Sequence, residues 1–310
     1  MLIAGAALPP PLVGPKSAAE FSLNYSKQSF ITSAINFPAF LPKEIDSITD
    51  PFARKLASRI ERVPVNLSLS TARVMSSCIK PKAKLDTAPL VLLHGFDSSC
   101  FEWRYGLPLL EDAGFETWAV DVLGWGFSDL EKLPSCSVAS KRDHLYQFWS
   151  SYVKRPMILV GPSLGAAVAI DFAVNHPEAV DKLILIDASV YVEGIGNLAT
   201  LPKLMAYAGI GRLHCLLPWW ADATVDFMTS GGYNVSAQIR DVKQKTLIIW
   251  GENDQIIDYK LAVRLHSEIP NAMLRQIPEC GHIPHVEKPA AVSKLIAEFI
   301  RAESKVCMVA

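Results

Sequence analysis

Gly161-Pro162-Ser163-Leu164-Gly165 decides how this chain is read. It follows the apolar run Met157-Ile158-Leu159-Val160 and precedes Ala166-Ala167-Val168-Ala169-Ile170-Asp171-Phe172-Ala173. The first run reads as a buried strand and the second as a buried helix. A G-x-S-x-G segment between a strand and a helix is a nucleophile elbow, a tight turn that holds its serine in a strained backbone conformation. Gly161 and Gly165 leave room for that turn. Ser163 Oγ is then expected at the C-terminal edge of a parallel sheet, beside the positive end of the next helix.

Outward from the elbow the pattern alternates. Leu90-Val91-Leu92-Leu93, Thr117-Trp118-Ala119-Val120-Asp121, Leu183-Ile184-Leu185-Ile186, Thr246-Leu247-Ile248-Ile249-Trp250 and Met273-Leu274-Arg275-Gln276-Ile277 read as strands. Helices are expected over 101–113, closed by Gly114, and over 138–153, 164–176 and 289–303. A Gly-rich turn covers Leu123-Gly124-Trp125-Gly126. Ahead of these, Ile45, Ile48, Phe52, Leu56 and Ile60 recur at helical spacing over 44–62, and 63–80 reads as two antiparallel strands around Ser70. This rhythm predicts an α/β fold, a mostly parallel central sheet covered by helices on both faces.

One stretch breaks the rhythm. From 188 to 244 no strand is evident, and the segment is apolar and aromatic: Leu204-Met205-Ala206-Tyr207, Leu216-Leu217-Pro218-Trp219-Trp220, Phe227-Met228, Gly231-Gly232-Tyr233. It is expected to be a short, partial cap inserted into a core formed by 44–187 and 245–304. It either packs on the sheet or roofs an acyl pocket.

A serine hydroxyl needs a base, a group that orients the base, and donors for the oxyanion. An elbow asks for them in the order Ser, acid, His. His282 is the candidate base, because Cys280-Gly281-His282 follows the last strand and precedes the last helix. His285 is its nearest rival, expected to be structural. Asp254, just past strand 246–250 in Trp250-Gly251-Glu252-Asn253-Asp254, is the candidate acid. Glu252 and Asp258 compete with it, and Asp121 is expected to brace the 121–129 turn instead. The backbone N–H groups of Leu164 and Phe96 are the candidate oxyanion hole. Gly95 lets the loop turn, and His94 is expected to brace it.

These motifs together, with Gly124-Trp125-Gly126-Phe127-Ser128 and Pro284-His285-Val286-Glu287-Lys288-Pro289, resemble the α/β-hydrolase superfamily over about 85–304. The likeness is to the serine-hydrolase branch that holds meta-cleavage-product hydrolases, esterases and lipases, with several similar plant chloroplast hydrolases. It implies a carboxylesterase- or lipase-like serine hydrolase that cleaves an apolar or lipid-like ester through an acyl-enzyme, with no cofactor and no metal. Two alternatives stay open: C–C bond hydrolysis of the meta-cleavage type, where Trp103 and Arg104 would suit an acidic substrate, and a ligand receptor on the same fold. Some positions depart from the pattern. Ala166 stands where many relatives carry a second glycine, and Asp258 where the acid motif often continues to proline. A serine nucleophile argues against the alkyl-enzyme chemistry of dehalogenases, which needs a carboxylate.

Composition narrows the partners. The 310-residue chain has a formal net charge of −1, so no basic field invites nucleic acid, and no apolar run is long enough for a transmembrane helix. Its six cysteines have no metal-ligand spacing and read as reduced thiols. Residues 1–43 are acid-poor and hydroxyl-bearing but lack Arg, a disordered arm or a transit-like segment for the chloroplast, with a cytoplasmic location the alternative. Residues 305–310 are expected to be a flexible tail, whose Cys307-Met308-Val309-Ala310 formally matches a prenylation box. Oligomeric state is not legible.

Overall fold

The computed structural model describes residues 36–70, 73–130, 132–191 and 210–302. In chain order the main elements are α1 (Pro51–Ala57), β1 (Ile60–Asn66), β2 (Arg73–Ile79), β3 (Leu90–Leu92), α2 (Gly106–Asp112), β4 (Thr117–Val120), α3 (Val138–Phe148), β5 (Met157–Pro162), α4 (Leu164–Asn175), β6 (Val180–Ile186), α5 (Trp220–Thr229), β7 (Lys245–Gly251), α6 (Tyr259–Glu268), β8 (Ala272–Ile277), the single turn α7 (Pro284–Glu287) and α8 (Pro289–Arg301). Among the described residues the strands form one eight-stranded sheet in the order β1-β2-β4-β3-β5-β6-β7-β8. The β1–β2 and β2–β4 pairs are antiparallel, and the rest are parallel.

The parallel strands are apolar along their length because both faces are covered. Alternate residues feed two cores. Val91, Leu159, Leu183, Leu185, Ile248 and Trp250 face one, which α3, α4, α5 and α6 close with Leu145, Phe148, Ile170, Phe227 and Leu265. Leu92, Ile158, Val160, Ile184, Ile186 and Ile249 face the other, closed from α1, α2 and α8 by Leu56, Leu110 and Ile296. The expected sheet with helices on both faces is therefore present, and β5 with its elbow lies at its centre.

Three expected helices differ in detail. The 44–62 helix resolves into a 3-10 turn (Lys43–Ser47), α1, and the first residues of β1. Asp50 restarts the chain as a cap, its carboxylate accepting the Phe52 and Ala53 amides, with Pro51 in the first helical position. Ile60 pairs with Ile79 in the β1–β2 hairpin, so the strand takes it from the helix. Ile45, Ile48 and Leu56 are buried together as their spacing predicts, while Phe52 is exposed. The 101–113 helix begins as a 3-10 turn (Cys100–Arg104) before α2 and stops at Gly114, whose φ of 86° suits glycine. The 138–153 helix ends in a π turn (Trp149–Val153), closed by Lys154 in the left-handed region. In the irregular stretch the described residues form a 3-10 turn (Ile210–Leu216), α5 and a second 3-10 turn (Ile239–Asp241). Leu204-Met205-Ala206-Tyr207 and Cys307-Met308-Val309-Ala310 lie outside the described residues.

Candidate active site

The elbow is fixed by backbone. Ser163 has φ 49° and ψ −121°, a conformation that costs roughly 1–3 kcal/mol outside glycine. Its N–H donates to the Ile186 carbonyl (2.8 Å), and its carbonyl accepts the Ala166 (3.0 Å) and Ser189 (3.1 Å) amides. A Cβ on Gly161 would overlap the Gly165 carbonyl oxygen, and one on Gly165 would meet the His94 carbonyl oxygen. Both glycines are therefore steric requirements of the turn.

Three loops converge on the serine. His282 Nε2 lies 3.0 Å from Ser163 Oγ, and His282 Nδ1 lies 2.8 Å from Asp254 Oδ2. The other Asp254 oxygen accepts the Ile256 (2.8 Å) and Ile257 (3.1 Å) amides. Burial alone would push the Asp254 carboxyl up, but His282 and the two amides outweigh it and hold it below the ordinary carboxylate range. The rivals are engaged elsewhere. Glu252 accepts the Glu279 amide (3.0 Å), and Asp258 caps α6 through the Lys260 amide (2.9 Å). His285 is buried against Trp103 and pairs with Glu102 (3.2 Å). The loop carrying His282 is held by Glu287, which accepts the Gly281 (2.9 Å) and Ile283 (3.3 Å) amides.

The loop after β3 carries the candidate oxyanion donors' other half. His94 is fully buried, and desolvation lowers its pKa. Its Nε2 accepts the Val122 amide (3.0 Å), so its Nδ1–H donates to the Gly95 carbonyl (2.8 Å). This neutral tautomer ties the loop to the turn that follows β4. Asp121 braces the 121–129 turn: it accepts the Phe127 amide (2.9 Å) and the Ser77 hydroxyl, and reaches back to the Cys100 amide (2.6 Å). Gly95 sits close under the elbow, since a Cβ there would lie 3.6 Å from Ser163 Cβ. Phe96 stands half-exposed at the rim, edge-on to Trp125. As the first helical residue, Leu164 has no intrahelical acceptor for its N–H.

Several residues of this region carry no motif. Glu102 accepts the Gly95 amide (3.1 Å) on the oxygen that pairs with His285. Burial opposes its charge, but His285 outweighs burial and pulls its pKa down to about 2. Asp97, one residue after Phe96 and at φ 47°, accepts Trp220 Nε1 (2.6 Å) and His214 Nε2 (3.0 Å) from the irregular stretch. Lys141 is buried with its ammonium over the Trp125 and Phe227 rings, 3.9 and 4.8 Å from their centres, and donates to the Leu123 carbonyl. Desolvation lowers its pKa to about 8. Glu102 has no local signal, since its bond to the Gly95 amide closes only in the fold. Asp97 lies more than a hundred residues before His214 and Trp220, so nothing local signals their contact.

Two groups of ligating side chains converge among the described residues, Asp97–His214–Cys215 and Asp187–Asp254–His282. In each, the His–Asp contact is already a hydrogen bond. Trp103 and Arg104 are likewise committed. Trp103 Nε1 donates to the Leu93 carbonyl (2.5 Å), and Arg104, buried, pairs with Asp50 (3.1 Å).

A family model described as Alpha/beta hydrolase family matches residues 90–295. The Alpha/beta hydrolase domain-containing protein VTE7 of Arabidopsis thaliana is 55% identical over 307 residues, covering 88% of this chain and 93% of that protein. A solved meta-cleavage product hydrolase from Pseudomonas fluorescens matches with a TM-score of 0.64 at 20% identity, over 78% of this chain and 98% of its own. A thermophilic esterase from Thermogutta terrifontis matches with a TM-score of 0.66 at 19% identity, again over 78% and 98%. At these identities the two structures bear on the fold.

Proposed function

The chain belongs to the alpha/beta hydrolase family, and from that premise we propose that it is a serine hydrolase of apolar carboxylic esters that works through Ser163, His282 and Asp254. The observation that carries this reading is the unbroken hydrogen-bonded chain from Ser163 Oγ through His282 to Asp254. With Nδ1–H donated to Asp254, His282 presents a lone pair on Nε2 to the serine hydroxyl. Ser163 Oγ attacks the ester carbonyl as its proton passes to Nε2, and Asp254 stabilises the imidazolium. The Phe96 and Leu164 amides hold the oxyanion. The tetrahedral adduct collapses, and the alcohol leaves with the proton from Nε2. Water then attacks the acyl-enzyme, gives its proton to His282, and the carboxylic acid departs as Ser163 is reprotonated.

The aromatic cluster Phe96, Trp125, Phe227 and Tyr233, which starts from the loop carrying the candidate oxyanion amide of Phe96, favours an apolar acyl or alcohol part. Ester rather than C–C cleavage is favoured because Trp103 and Arg104, the side chains that would suit an acidic dienoate, are engaged in structural contacts. In the same reading 188–244 is a partial cap over the core. The plant relative and the acid-poor composition of 1–43 support a chloroplast location.

The test is fluorophosphonate labelling and turnover of an ester chain-length panel by wild type and Ser163→Ala. Wild type is expected to label and to prefer apolar esters. Ser163→Ala is expected to lose labelling and at least about ten-thousandfold in turnover, since triad members act as a unit. Ester hydrolysis surviving in pure Ser163→Ala protein overturns the reading.

A further inference from the structure

A group of ligating side chains lies outside the Ser–His–Asp chain. Asp97 follows Phe96 on the loop after β3, and His214 and Cys215 lie on the 3-10 turn Ile210–Leu216. His214 Nε2 is 3.0 Å from Asp97 Oδ1 and 3.7 Å from Cys215 Sγ. The ligand atoms of the three residues all fall within 4.8 Å of one another. The His214 side chain is fully buried, while Asp97 is 31% exposed. Cys215 is half-buried, whereas the other described cysteines are buried. The group therefore has a packed side at His214 and a solvent side at Asp97 and Cys215. His214 Nδ1 is buried with no hydrogen-bond partner, so Nε2 carries the ring's polar bonding. Cysteine spacing gives no sign of this group, because its carboxylate stands 117 positions before its histidine.

We propose that Asp97, His214 and Cys215 bind one zinc-class divalent ion, which ties the 210–216 turn to the loop that presents Phe96. Tetrahedral zinc with one oxygen, one nitrogen and one sulfur ligand holds those atoms about 3.3–3.6 Å apart. The His214–Asp97 and His214–Cys215 separations already lie within a few tenths of an ångström of those edges. The third edge closes by a small movement of the half-buried Cys215 side chain. The donor set also selects the metal. A thiolate with an imidazole suits zinc and its neighbours, while magnesium and calcium want oxygen ligands. One thiolate and one carboxylate together neutralise the two charges of the ion, which keeps its burial against His214 from leaving an unpaired charge. The ion takes the place of the proton that His214 Nε2 donates to Asp97, and that proton leaves to solvent with the Cys215 thiol proton. Trp220 Nε1 donates to Asp97 Oδ1 (2.6 Å) and would hold the ligating carboxylate in orientation, as outer partners of metal ligands do. A water on the exposed side completes four-coordination.

The experiment titrates zinc, and separately cobalt, into chelator-stripped full-length protein at neutral pH. Calorimetry is expected to show one zinc per chain with a Kd below about 10 μM. Saturating zinc is expected to raise the melting temperature by at least about 3 °C. Cobalt is expected to give the visible bands of a tetrahedral site and a near-ultraviolet thiolate-to-cobalt charge-transfer band. The Asp187–Asp254–His282 group contains no sulfur and cannot give that second band. Cys215→Ser changes one atom at a half-buried position. It is expected to fold as wild type by circular dichroism, to lose the charge-transfer band, and to weaken zinc at least about thirtyfold. His214→Gln is expected to weaken zinc at least as much. Binding of zinc weaker than about 10 μM by wild type overturns the proposal. So does a wild-type cobalt spectrum without the charge-transfer band, or a band and affinity that survive Cys215→Ser. None of these measurements uses ester turnover, so the site stands or falls apart from the serine-hydrolase reading.

Discussion

The floor of the candidate site and the irregular stretch joined to it at Asp97 are held by different kinds of bond. On the floor, backbone groups do most of the holding. Ser163 is bonded to β6 and α4, Asp187 to β7, and the Asn253 amide to the Cys280 carbonyl (2.8 Å). In the irregular stretch, α5 and the 210–216 turn hang on side chains: Asp97 with Trp220 and His214, Thr224 with Trp125 (3.2 Å), and Asp226 with the Cys136 amide (2.6 Å). Backbone bonds are set by the sheet and leave no slack, whereas side-chain bonds can be exchanged for others. Asp97 joins the two regions, because it sits on the loop that presents Phe96. The contrast predicts an ordering of mutational effects from floor to roof.

Gly161→Ala is the harshest change. The new methyl would overlap the Gly165 carbonyl, a backbone atom of the elbow that cannot rotate away. Relief requires shifting β5 against β6, so the expected cost exceeds about 4 kcal/mol. Soluble yield should collapse, or the purified protein should melt more than about 10 °C lower by circular dichroism with no fluorophosphonate labelling. A variant that melts and labels like wild type would show that the floor has slack.

That rigidity is also why the floor was legible in sequence. Close backbone approaches demand glycine, buried strands demand apolar runs, and both leave local signatures, so the turn at Gly161 and Gly165 and the loops that carry Asp254 and His282 can be read from the chain itself. The 44–62 stretch was read only in part. Its apolar spacing reported burial on one side, but spacing does not reveal that Asp50 restarts the chain or that the β1–β2 hairpin claims Ile60. The Asp97 joint and Lys141 beneath the aromatic rings are likewise products of tertiary packing.

Asp97→Asn tests the joint between the two regions. The amide oxygen can still accept from Trp220 or His214, but the charge is lost. Burial lowers the His214 pKa, yet Asp97, together with the neighbouring Cys215, outweighs burial and raises it to about 9 from an ordinary 6.5. A raised folded pKa means that the stabilisation is fully present below about pH 6.5 and is lost as pH rises through about 9, a difference of at most about 3 kcal/mol. Wild type should therefore lose melting temperature over that window. Asp97→Asn should start about 1–3 kcal/mol less stable at pH 6.5 and show a flattened profile. Ester turnover should fall about tenfold as the Phe96 amide loses its tether, less than the hundredfold or more for deleting an oxyanion donor. Parallel pH–melting curves for the two proteins would break the link between Asp97 and His214.

Met228→Gln is expected to do the least. Met228 and Val225 lie three residues apart on α5, 60% and 59% exposed, while Phe227 between them is buried in the first core at 2%. The helix thus spends its inner face on the core and turns these two toward solvent. Replacing an exposed thioether with an amide of similar length and helix propensity should shift stability by under about 0.5 kcal/mol, about 1–2 °C in melting temperature. Ester chain-length preference should not move, because Phe227, not Met228, is the α5 side chain that packs on the Phe96 and Trp125 rings. A change in that preference with Met228→Gln would mean that substrate reaches the outer face of α5, and the division between a fixed floor and an adjustable roof would have to be redrawn around the helix rather than beneath it.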